Sequence, residues 1–118
     1  MSEVLARLQA SIRRSPFQEW LGVMLAAGDA EAGTATVRLP FRPEFRRGPG
    51  ADQIHGGVIA ALADIAGDYA LAMSLGGGVP TIDLRVDFLR PASATSSPRR
   101  KSSNVAARSA SSTCRSGT

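Results

Sequence analysis

The chain has 118 residues, 43% of them hydrophobic, which suits one domain with a modest core and argues against a second. A single cysteine, Cys114, excludes an internal disulfide, and a single histidine with no companion ligands argues against zinc or any other metal. The net charge of +4 is unevenly placed. In residues 1–92 nine arginines stand against ten acids, a balance of −1, whereas residues 93–118 carry Arg99, Arg100, Lys101, Arg108 and Arg115 with no acid. The basicity belongs to the tail, so nucleic acid is not the expected partner of the domain. No uninterrupted apolar run reaches the roughly 20 residues of a membrane span, and "MSEVLARLQASIRRS" has no signal-type apolar region, so a cytoplasmic protein without a membrane partner is expected.

In chain order, "EVLARLQASIRR" spaces Val4, Leu5, Leu8 and Ile12 as one face of a helix, with Ser2 as its N-cap and arginines in the last turn. Two half-apolar segments follow, residues 20–27 and 34–41, joined by the turn-forming "GDAEAG", and predict a hairpin. "RPEFRRGPGADQI" is rich in Pro, Gly and Arg and predicts a loop. The apolar run 58–75 is too long for a strand and predicts the main helix, which "GGGVP" stops. In "TIDLRVDFLRPA", Ile82, Leu84, Val86 and Phe88 alternate with Asp83, Arg85, Asp87 and Leu89, the period of a strand ending at Pro91.

The main helix carries Val58, Ile59, Leu62, Ile65, Tyr69, Ala70 and Leu71 on nearly every face, so it must be wrapped. A sheet curling around one long helix accomplishes this in a short chain and places the fold in the α+β class. Within this helix Asp64 stands between Ala63 and Ile65. A carboxylate in apolar surroundings is costly unless it is paired or has a task, although an exposed helical edge would also accommodate it. Asp68, one turn on, is expected to be structural or to lie at an interface. His55 by itself suits a loop histidine bonded to backbone, and Gly56 and Gly57 permit a tight turn into the helix. Arg46 and Arg47 could meet phosphates, or could simply be solvated.

"HGGVIAALAD", followed after a glycine-rich break by "TIDLRVDFLRPA", resembles the hotdog-fold acyl-CoA thioesterases of the phenylacetate-degradation type, over residues 22–92. The resemblance implies an antiparallel sheet around a central helix, and a homodimer or homotetramer with each active site at a protomer interface. It implies hydrolysis of an acyl- or aryl-CoA thioester, with coenzyme A as part of the substrate and no other cofactor. By the same resemblance Gly56 is the backbone donor to the thioester carbonyl, and Asp64 is the general base or nucleophile. His55, Gly57 and Thr81 are substrate-binding or water-holding residues. Pro49 stands where relatives often carry a polar residue, a place that Gln53 or Asp52 could fill. A non-catalytic acyl-binding or remnant hotdog protein is the alternative.

The hotdog pattern calls for two more strands after Ala92. In their place stand 26 residues with nine serines and no Leu, Ile, Phe, Tyr, Trp or Met, expected to be a disordered tail and an incomplete sheet. The genetic code suggests a cause. If the serines are TCN codons, reading one base earlier gives NTC, which encodes only Phe, Leu, Ile or Val. One permitted choice of codons turns residues 95–118 into an alternating, strand-like sequence resembling the missing strands. The hypothesis is a frameshift near Ala94. Sequencing the coding DNA should show that a single-base change there restores a strand-like frame; if none does, the Ser/Arg tail is genuine.

Overall fold

A computed structural model describes residues 3–78, 80, 81, 83–88 and 104–110. Helix α1 (Glu3–Ser11) is followed by α2 (Pro16–Leu21), the strands β1 (Met24–Asp29) and β2 (Thr34–Pro40), a 3-10 turn (Pro43–Phe45), the long helix α3 (Gly56–Leu75) and strand β3 (Asn104–Ala110). The three strands form one antiparallel sheet in the order β1-β2-β3. This sheet packs on α3, as the hotdog expectation requires.

The hairpin is displaced from its sequence-based bounds. Trp20 lies in α2, and pairing begins at Met24. Local chemistry explains the shift: Ser15 caps Gln18 N–H, Pro16 stands at the first helical position, and Gly22 ends the helix in the left-handed region at φ 80°. At the tip of the hairpin the Asp29 carboxylate accepts from the N–H groups of Glu31 and Ala32 at 2.9 and 3.2 Å, closing the predicted turn. The β1 register shifts between Leu25 and Ala27, a bulge that bends the strand.

The main helix begins at Gly56, two residues before the expected start, and stops where the glycine run predicts, with Gly76 at φ 83°. The expected N-cap of α1, Ser2, lies outside the described residues. By length and composition α3 could cross a membrane, contrary to expectation. Its burial against the sheet accounts for the same composition: Leu62, Ile65, Ala66, Tyr69, Ala70, Ala72 and Met73 are buried together with Leu25, Val37 and Leu39 of the sheet. Leu8 and Ile12 close the core beside α1. Gln18 ties α2 down, its side-chain amide donating to Ile12 C=O at 2.6 Å and lying 3.3 Å from the Tyr69 hydroxyl.

Two expectations are corrected. Residues 80, 81 and 83–88 form no strand; they return toward α3, with Thr81 against Asp64 and Phe88 beside Gly56. Alternation specifies two faces but not a ladder partner, and both edges of β2 are occupied by β1 and β3. Within the tail expected to be disordered, residues 104–110 pair along the whole of β2, from Thr34↔Ala110 to Pro40↔Asn104. Backbone donors and acceptors pair without regard to side chain, and β2 offers a complete edge. The rest of the tail, with Cys114 and the Ala94 region, lies outside the described residues.

Leu62 is 1% exposed at the centre of this packing. Leu62→Ala should cost about 2–5 kcal/mol, read as a lowered urea midpoint with an unchanged slope.

Candidate active site

The loop 42–54 delivers the chain to the N-terminus of α3. Phe45 N–H bonds Arg42 C=O, His55 N–H bonds Phe45 C=O at 2.8 Å, and Arg47 N–H bonds Gln53 C=O at 2.8 Å. Phe45 and Ile54 are buried and anchor the loop. His55, Gly56 and Gly57 therefore emerge exposed at a fixed place.

The histidine is the helix cap. Its Nδ1 accepts the Gly57 N–H at 2.8 Å, so in the neutral ring the proton is on Nε2, available to an outside acceptor. Gly57 leaves space for the capping ring: a Cβ there would stand 3.0 Å from His55 Nδ1 and 3.2 Å from Cε1, and the ring would have to shift by a few tenths of an ångström. Val58 and Ile59 donate to His55 C=O. The Gly56 N–H, in the first turn, has no intrahelical acceptor and makes no hydrogen bond among the described residues. It points out of the positive end of a 20-residue helix, an arrangement suited to stabilising developing negative charge. The ring of Phe88 stands 3.6–3.7 Å from where a Gly56 Cβ would be, so the site has an apolar flank.

Asp64 is half-buried two turns further on, and its Oδ1 accepts the Thr81 hydroxyl at 2.5 Å. The hydroxyl holds one carboxylate oxygen and leaves Oδ2 to receive a proton. The structure thus brings Asp64 and Thr81 together, and His55, Gly56 and Gly57 together, as two separate groups. Eight residues of helix put Gly56 and Asp64 about 12 Å apart along the axis. No single carbonyl can touch both within one chain.

Asp68 lies half-buried beside the glycine break, 3.8 Å from where a Gly78 Cβ would be, at the edge of the helix rather than beside Gly56. Gln53 is occupied, its Oε1 accepting from Arg47 Nη1 at 2.8 Å, while Pro49 and Asp52 are exposed on the loop. Arg46 stacks on Phe41 at 5.4 Å. Sequence reasoning missed Phe17 and Trp20, which α2 sets beside His55 and Gly57 around an open cavity of about 290 Å3. The Ser-Pro start and Gly stop of α2 were the signal that could have placed them.

Comparison with known proteins finds several similar chains. A family model described as the thioesterase superfamily matches residues 53–97, the stretch that holds His55, Gly56, Asp64 and Thr81. A crystal structure of a thioesterase-superfamily protein superposes with a TM-score of 0.72 at 33% identity, covering 89% of this chain and 72% of that one. A second, from Shewanella oneidensis and related to the same superfamily, gives 0.59 at 27% identity, covering 75% and 67%. A Halobacterium salinarum protein named as an esterase is 35% identical over 95 residues, covering 76% of this chain and 62% of that protein. A Saccharolobus solfataricus protein, also named as an esterase, is 35% identical over 63 residues, covering 52% and 43%. The chain thus spans less than two thirds of the length of these two relatives.

His55→Ala should lose the cap and cost about 0.5–2 kcal/mol, whereas His55→Asn, a good capping residue, should recover most of it. Urea unfolding of the three proteins checks both.

Proposed function

The chain belongs to the thioesterase superfamily, and on that premise we propose that it hydrolyses an acyl- or aryl-CoA thioester to the free acid and coenzyme A. The observation that carries this reading is the open Gly56 N–H at the α3 N-terminus, in a chain whose other chemically equipped group is a hydroxyl-oriented carboxylate. The Gly56 N–H polarises the thioester carbonyl. Asp64 removes a proton from water, and the hydroxide adds to the carbonyl carbon. The tetrahedral oxyanion rests on the Gly56 N–H until the C–S bond breaks and the thiolate leaves to take up the proton. Direct attack by the carboxylate, giving an anhydride that water then opens, uses the same residues. Thr81 orients Asp64, and the His55 Nε2–H faces the substrate. Coenzyme A enters only as part of the substrate.

The separation of about 12 Å along one helix supports a homodimer or a dimer of dimers in which Gly56 of one protomer meets Asp64 of its partner. A second reading, a non-catalytic acyl-binding or inactive remnant hotdog protein, is favoured by the composition of residues 93–118, where nine serines and no large apolar side chain stand in place of the expected strands. The frameshift near Ala94 would account for the serine-rich tail; the phenylacetate-type likeness remains the narrower form of the proposal.

Position 56 allows a direct test. His55 already has the extended backbone, φ −58° and ψ 135°, that a residue before proline requires, and proline suits the first helical position. Gly56→Pro therefore deletes one N–H and little else. It should lower kcat for thiol release by about 10²–10³ with unchanged circular dichroism, and Asp64→Ala should lower it by about 10²–10⁴. Mixing the two variants should restore about a quarter of wild-type activity, since half of the random dimers carry one intact site. Equal rates for wild type and both variants would refute the catalytic assignment.

A further inference from the structure

Beside the His55–Gly57 turn, α2 and the first turns of α3 enclose an open cavity of about 290 Å3, walled by Phe17, Trp20, Leu21, Phe45, Val58 and Ala61. Two large aromatic side chains are left facing water here: Phe17 is 52% exposed and Trp20 62%. Their rings stack at 6.3 Å with 24° between planes. Exposed apolar surface of this size, next to polar groups that converge, marks a ligand site more often than it marks ordinary surface.

Trp20 is also held in place. The Arg42 guanidinium lies 4.9 Å from the Trp20 ring centre and 4.6 Å from that of Phe45. Its Nε and Nη2 are buried without a hydrogen-bond partner among the described residues. A buried cation with unmet donors is costly, and the two ring faces are what offset it. The guanidinium thus serves to fix two walls of the cavity.

We propose that this cavity receives the acyl group of the thioester, with Trp20 as a specificity-determining wall and Arg42 as its positioning residue, a proposal that rests on the hydrolase reading above. The cavity is lined by His55 and Gly57, the two neighbours of Gly56 in the chain, so a carbonyl bound at the α3 N-terminus can carry its substituent into the apolar walls. The other end of the substrate does not fit. The pantetheine arm has amides that need partners, the nucleotide carries phosphates, and the lining supplies a carboxylate, Glu44. A cavity of this volume lies at the small end of ligand sites and favours a ring-sized or short acyl group over a long alkyl chain.

Trp20 is the sole tryptophan, so its emission reports this cavity alone. The full chain is titrated with a phenacyl thioether of coenzyme A, which cannot be hydrolysed, with a hexadecyl thioether, and with coenzyme A itself, following emission and heat in parallel. The phenacyl thioether should change Trp20 emission saturably and bind more tightly than the hexadecyl one; coenzyme A should leave the emission unchanged. Ala61→Phe, which fills the cavity, should weaken phenacyl binding at least about tenfold with unaltered circular dichroism. Trp20→Ala should shift the preference toward the hexadecyl thioether. Arg42→Met should lower the anisotropy of Trp20, and Arg42→Lys should restore part of it. Heat of binding without an emission change, or an equal response to coenzyme A, overturns the subsite while the hydrolase reading stands. No binding overturns the subsite, and no thiol release from an acyl-CoA panel overturns the hydrolase reading with it.

Discussion

Everything in this fold follows from the need to bury α3 on nearly all sides. A helix whose central residues are Leu62, Ile65, Ala66, Tyr69 and Ala70 cannot stand in water, and the sheet with α1 is what covers it. Burial of that kind makes the helix stiff and its position unique. Groups attached to it inherit that fixity. Asp64 and Asp68 interrupt the apolar pattern on the side where Thr81 supplies a hydroxyl to Asp64 and Gly78 stands beside the Asp68 carboxylate.

The N-terminus of the same helix shows how one short motif divides its labour. In His-Gly-Gly the histidine caps one orphan N–H, the second glycine makes room for the capping ring, and the first glycine keeps its own N–H open. Had residue 55 been serine or aspartate the cap would be satisfied equally well. An imidazole leaves a further donor, Nε2–H, pointing away from the helix. The cap is thus structural on one edge of the ring and available for chemistry on the other.

The sequence made α3 legible because an apolar run of that length with a glycine stop has few alternatives, and the hotdog motif made Gly56 and Asp64 stand out. The failures share a cause. Residues 81–88 alternate like a strand, but alternation says nothing of where a ladder partner is, and here the strands of the sheet already flank β2. The segment 104–110 lacks large apolar residues, yet it pairs with β2 through backbone groups that composition does not describe. Trp20 opens the half-apolar segment 20–27 that predicts the first hairpin strand, but the capping residues around α2 hold it in a helix. The pairing of Thr81 with Asp64 depends on how the chain returns after the glycines, a tertiary fact without a local signature.

The stiffness of α3 also constrains how two copies could meet. A donor at residue 56 and a base at residue 64 on a rigid helix can share a substrate only if a second α3 runs antiparallel, with the two-fold axis near the midpoint, residue 60. An isologous pairing of this kind creates both composite sites at once. The residues at that midpoint are Ala60, Ala61 and Ala63, flanked by Val58 and Ile59, and all five are half-buried in the single chain. Small side chains let helix backbones approach closely, and partial burial leaves apolar area for a partner to cover. In such a pairing the run "VIAALAD" would meet two demands: it would keep the crossing narrow enough for Gly56 and Asp64 to reach one carbonyl, and it would set the cavity lined by Val58 and Ala61 at the margin of the same crossing.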